Sequence, residues 1–77
     1  MPRERADPRL GNAVRQLREQ AAITQEELAY EAGISVGALS RVERAHTNPS
    51  WTTVERIAEA LEVSLVALVE AVERPPS

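Results

Sequence analysis

The stretch Thr24-Gln25-Glu26-Glu27-Leu28-Ala29-Tyr30-Glu31-Ala32-Gly33-Ile34-Ser35-Val36-Gly37-Ala38-Leu39-Ser40-Arg41-Val42-Glu43 decides the fold. It opens on a hydroxyl residue with Glu three positions later, the pairing in which a helix start caps itself from both ends. Leu28, Ala29 and Ala32 recur on one helical face, and Gly33 supplies a left-handed stop. Ser35 caps a second helix at once, with Leu39 and Val42 on its apolar side. Only Gly33-Ile34-Ser35 separates the two helices. A glycine-containing joint that short cannot fold the second helix back antiparallel, so the pair crosses steeply. Ala29 is small where the helices touch, and Ile34, Leu39 and Val42 point to a shared core.

The same signals continue on both sides. Asp7-Pro8 is an N-cap followed by proline at the first helical position. Behind it Leu10, Val14, Leu17 and Ala21 share a face, while Arg9, Asn12, Arg15 and Glu19 lie elsewhere. Ala45-His46-Thr47-Asn48-Pro49 has no periodicity and reads as a loop. Ser50 caps a fourth helix striped by Val54, Ile57, Ala58 and Leu61. Ser64 caps a fifth that runs through Leu65, Leu68, Val69 and Val72, and Arg74-Pro75-Pro76-Ser77 ends it. There is no strand signal and no internal repeat. The expectation is an all-α, compact five-helix domain over residues 8–73, with a flexible arm at 1–7 and a tail at 74–77.

Composition agrees with that class. At 77 residues the chain holds one small domain, and with no Phe, one Trp and one Tyr its core must come from Leu, Val, Ile and Ala. Without Cys there is no disulfide framework and no thiolate metal site, and the single His46 cannot build a metal site alone. No apolar run approaches the roughly 20 residues that span a bilayer, and the charged start is not a secretory signal. The expected compartment is the cytoplasm. No glycine-rich phosphate loop and no carboxylate cluster suggests catalysis, so no enzyme activity, cofactor or metal is expected.

The net charge of −3 argues mildly against a nucleic-acid partner, but its distribution qualifies that. Residues 1–20 carry five Arg against three acids, and residues 51–77 two Arg against five Glu. Any positive surface therefore comes from the N-terminal third together with Arg41 and Arg44. All nine basic residues are Arg, the side chain suited to bidentate contacts with phosphate or guanine.

Taken in order, Leu10-Gly11, Leu17-Arg18, Thr24 to Ala29, Ala32 to Ser35, Leu39 to Arg44, Asn48-Pro49-Ser50 and Ile57 to Leu61 resemble the DNA-binding domain of Xre/Cro-like regulators. The resemblance covers roughly residues 9–69 and implies a lambda-repressor-like helix-turn-helix fold. It implies that the helix over residues 35–44 enters the major groove, where its N-terminal residues read base edges. The readers would be Ser35, Val36, Gly37, Ser40 and Arg41. Arg41 can pair with guanine O6 and N7 at once, Val36 can meet a thymine methyl, and Gly37 either admits close backbone approach or weakens readout. Gln25, Arg44, Thr47 and Asn48 would contact phosphates, with Arg15 and Arg18 joining them and Arg9, Arg3 and Arg5 as weaker candidates. Arg18 and Glu43 would form a partly buried structural ion pair. Ala22 and Ala45 stand where the family often has Gly, so those two turns are expected to depart from the usual left-handed form. Glu26 and Glu31 would lower affinity if they faced DNA.

The last helix carries more apolar surface than one face can hide. Val66, Val69 and Val72, with Trp51, are read as a homodimer interface. Two copies would place their recognition helices about 34 Å apart and predict a palindromic site. Tyr30 and Trp51 are otherwise packing residues and His46 a loop residue. The expected function is a sequence-specific, dimeric DNA-binding transcriptional regulator acting as a repressor or controller, with no ligand-sensing domain. A piece of a longer regulator is the other reading of the length. The alternative function is an antitoxin-like or adaptor protein whose acidic, valine-striped C-terminal helices bind another protein.

Overall fold

Every helix begins on a side-chain oxygen that closes its first turn. Asp7 accepts from the Arg9 N–H, and Thr24, Ser35, Ser50 and Ser64 each accept from the residue three positions on. The computed structural model describes residues 7–74, with α1 at Pro8–Gln20, α2 at Gln25–Ala32, α3 at Val36–Glu43, α4 at Trp51–Ala60 and α5 at Leu65–Glu73. These are the five helices expected from the caps and periodicity. The box at α2 closes in both directions: the Glu27 N–H donates to the Thr24 hydroxyl at 3.0 Å, and the Thr24 N–H to the Glu27 carboxylate at 2.9 Å. Apart from Asp7 and Arg74, the expected arm and tail, with Arg3 and Arg5, lie outside the described residues.

One side chain from each helix is almost completely shielded from solvent: Val14, Leu28, Leu39, Ile57 and Leu68. Burial of each is worth about 1.5–3 kcal/mol. Ala13, Ala29, Ala32, Ala58 and Ala71 fill the spaces between them, which lets helices approach without aromatic residues. α1 packs on α3 and α5, α2 packs on α3 and α4, and α5 touches α4 lightly. α3 is thus gripped by α1 and α2 on one side and left open on the other. Ala21 does not join the buried face of α1, because the helix has ended by then and the residue is its exposed C-cap. Among the described residues no helix is long and apolar enough to cross a membrane.

Four helices end in the same way. A left-handed residue follows the last turn, as the cap itself in α2 and just after the cap in α1, α3 and α4, and two N–H groups reach back to the last carbonyls. Gly33 does this with φ 72°, and so do Ala22, Ala45 and Glu62 with φ near 58°. The bonds are Ala22 N–H to Glu19 O and Ile23 N–H to Arg18 O, repeated from Ala45 and His46 to Val42 and Arg41, and from Glu62 and Val63 to Glu59 and Ala58. The expectation that Ala22 and Ala45 would alter their turns is therefore corrected. Paired hydrogen bonds, and burial of Ile23 after the first turn, hold the backbone where glycine would ordinarily sit.

Candidate nucleic-acid interface

At about 100° per residue, Val36, Ser40, Arg44, Gly37 and Arg41 occupy one arc of α3, opposite Leu39 and Val42. Val36, Arg41 and Arg44 are exposed, and Gly37 and Ser40 are half-buried. Ser35 stands at the head of this arc, its Oγ accepting the Ala38 N–H at 3.0 Å. The structure therefore brings all five expected base readers to the open side of one helix. Among the described residues neither Arg41 nor Arg44 has a carboxylate within ion-pair distance, whereas Arg9 and Arg18 do. Both free guanidinium groups of α3 belong to this face.

Behind it lies a three-residue network that ties α1, α2 and α3 together. Arg18 Nε donates to Glu43 Oε2 at 2.8 Å and its Nη2 to Oε1 at 3.1 Å. Gln25 Nε2 donates to the same Oε1 at 3.0 Å, and Arg18 Nη1 donates to the Ile23 carbonyl at 3.1 Å. Glu43 is only 6% exposed, so its charge needs these donors. The hydrogen bond to Glu43 raises the Arg18 pKa above its ordinary value, against the opposing effect of burial. Arg18 is thus the expected structural partner of Glu43: its side chain is 14% exposed, and three of its five N–H groups are engaged inside the fold. Gln25 keeps its amide oxygen and a second N–H, and it heads α2 beside the unpaired N–H groups of the first turn.

Thr47 and Asn48 follow α3 on an exposed loop, and Arg44 is its exposed C-cap. Arg15 is exposed and lines a cleft between α1 and α5 with Arg9, Asn12 and Arg74. Arg9 is held by Asp7 at 2.9 Å. Glu26, Glu27 and Glu31 line a different surface, a groove shared with Glu59 and Glu62 around Tyr30. Of the expected interface residues, Trp51, Val66 and Val69 are 61%, 69% and 47% exposed. Val72 is half-buried and packs against the core, because its position on α5 borders Leu68 and Leu65 rather than Val66. Tyr30, read as a packing residue, is 83% exposed instead. Among the described residues no group of three or more His, Asp or Glu stands where it could hold a metal ion.

A helix-turn-helix domain profile matches residues 9–72, the whole of this architecture. The chain belongs to the Xre-like helix-turn-helix family. It is 37% identical over 67 residues to an uncharacterized HTH-type transcriptional regulator of Sinorhizobium fredii, covering 87% of each chain. It is 39% identical over 56 residues to the antitoxin HipB of Escherichia coli, covering 73% of this chain and 60% of HipB. The wild-type restriction-modification controller protein C.Esp1396I superposes with a TM-score of 0.83 at 27% identity, over 91% of this chain and 90% of that one. Against several other curated regulators the chain spans 41–56% of their length. Membership of the Xre-like family makes it a DNA-binding transcriptional regulator rather than an enzyme.

Proposed function

We propose that this chain binds a palindromic DNA site as a homodimer and represses or controls transcription there, acting in the cytoplasm. The arc of α3 carrying two unpaired arginines is the observation that supports it. α3 lies in the major groove, with Arg41 on a guanine edge and Ser35, Val36, Gly37 and Ser40 against neighbouring bases. Gln25, Arg44, Thr47, Asn48 and Arg15 hold phosphates around them. Val66 and Val69, with Trp51, form the contact between copies, since exposed valines one turn apart on a short helix favour an apolar partner.

Selection from fragmented genomic DNA at physiological salt, with Arg41→Ala in parallel, tests the reading. Enrichment of a palindrome by the native chain, lost in the variant, supports it. A folded native chain that enriches nothing overturns it.

A second reading is favoured by the likeness to an antitoxin and by the same exposed valines: the main partner is another protein, held at the C-terminal helices. Salt separates the two. Contact with about six phosphates gives a slope near −5 in log K against log[salt], whereas an apolar protein interface responds weakly.

A further inference from the structure

Gly37 lies in the first turn of α3 and Arg41 one turn later, so the two are neighbours on the helix surface. The Arg41 side chain runs back along that surface. Its Nη1 lies 3.5 Å from the point that a Cβ on Gly37 would occupy, and Ser35 Oγ lies 4.0 Å from it. Helical side chains lean toward the N-terminus, and the N-terminal turn is the part of a recognition helix that meets base edges. The guanidinium therefore lies where readout takes place, in room that any side chain longer than a methyl group at position 37 would share.

Packing does not explain the glycine. Apart from Arg41 and Ser35, its surroundings are open, and glycine weakens a helix interior relative to alanine. Nor does an ion pair hold Arg41, which has no carboxylate partner among the described residues.

We propose that Gly37 is a specificity-determining residue that acts through Arg41: by carrying no side chain longer than a methyl group it seats the guanidinium over the first turn of α3. This rests on the DNA reading proposed above. Gly37 is a positioning residue in that reading, with no side chain of its own on the DNA.

The test compares the native chain with Gly37→Ala, Gly37→Leu, Arg41→Ala and the Gly37→Leu/Arg41→Ala double variant. Each is put through selection from a randomised duplex library, then titrated with the selected site and its single-base variants. Alanine meets Nη1 at ordinary contact distance, so Gly37→Ala keeps the native preference and melts at higher temperature. Leucine fills the seat. Gly37→Leu loses discrimination by about tenfold or more at the base pair where Arg41→Ala loses it, with non-specific affinity unchanged. In the double variant leucine adds no further loss, a non-additivity that a merely structural role would not produce. Melting curves check that each variant folds, and Gly37→Gln, of similar reach, repeats the comparison on a polar side chain. If the native chain shows no sequence preference, the DNA reading fails and this proposal with it. If Arg41→Ala changes the preference while folded Gly37→Leu and Gly37→Gln keep it, the role of Gly37 alone is overturned. Losses that add in the double variant overturn it equally.

Discussion

Gly11 on α1 faces the backbone of α3 so closely that a Cβ there would stand 2.5 Å from the Val42 carbonyl oxygen and 2.7 Å from that of Glu43. Neither atom is the end of a flexible side chain, so one helix would have to move. Gly11 thus sets the distance at which α1 crosses the helix that carries the candidate readers. Gly11→Ala is expected to destabilise by about 1–3 kcal/mol through overpacking, reduced by up to about 1 kcal/mol of helix propensity. For a domain this small each kcal/mol lowers the melting temperature by about 4–8 °C. Calorimetry checks it, and a variant that melts at or above the native temperature would show that the crossing tolerates a methyl group.

The Arg18–Glu43 pair gives a second expectation. Each partner leaves the other charge buried when it is removed, so Arg18→Ala or Glu43→Ala is expected to cost about 3–5 kcal/mol. That is a large part of the roughly 5–15 kcal/mol that holds a typical domain. Replacing both together, Arg18→Met with Glu43→Leu, is expected to restore much of the loss, because no uncompensated charge remains. Urea unfolding of the two single variants and the double variant measures this directly. Additive losses would mean that the pair contributes more than the desolvation it offsets.

Three left-handed residues other than glycine close α1, α3 and α4, and each stores removable strain. Left-handed backbone costs a residue with a Cβ about 1–2 kcal/mol, while glycine loses about 0.4–1 kcal/mol more through the freedom it gains when unfolded. Ala22→Gly, Ala45→Gly and Glu62→Gly are therefore each expected to stabilise by roughly 0.5–1 kcal/mol. The sites lie in separate turns, so the gains should add, and chemical denaturation of the triple variant reads the sum. A loss in any one would place strain elsewhere in that turn.

Caps and periodicity made the helices legible, because each rule is local: Thr24 with Glu27, Ser35 with Ala38 and Gly33 after Ala32 lie within a few residues of one another. What escaped depends on contacts between distant segments or on geometry that any side chain can be forced into. Glu62 carries no mark of its left-handed turn; the bonds from its own N–H and that of Val63 put it there. The Gly11 crossing joins residues about thirty positions apart, and the Gln25 amide meets a carboxylate 18 positions away. The pair Arg18–Glu43 was legible only through family resemblance, since nothing in the spacing brings those residues together. On the α5 surface, valine spacing grouped the exposed Val66 and Val69 with Val72, whose partial burial is set by where Leu68 enters the core.

The capping box fixes the sign of the acid response. Glu27 is held below the ordinary glutamate range first by the Thr24 backbone N–H and next by the Thr24 side chain. Asp7 is held below the aspartate range chiefly by its hydrogen bond with the Arg9 side chain. A carboxylate with a depressed folded pKa contributes stability that is complete above its unfolded value, roughly 3.9 for Asp and 4.3 for Glu, and is lost as pH falls through the folded one. Arg18 works in the opposite sense: its raised pKa contributes stability that is complete below the unfolded arginine value, so it does not titrate in this window. Stability from these groups is therefore expected to be flat from pH 7 to about 5 and to decline below about pH 4.3. Urea midpoints between pH 7 and 3 check this, and Glu27→Gln should flatten the decline and lower the plateau, since the charged group's contribution is gone at every pH. A decline already under way at pH 6 would assign the acid response to a group other than Glu27 and Asp7, because neither carboxylate binds protons there in either state.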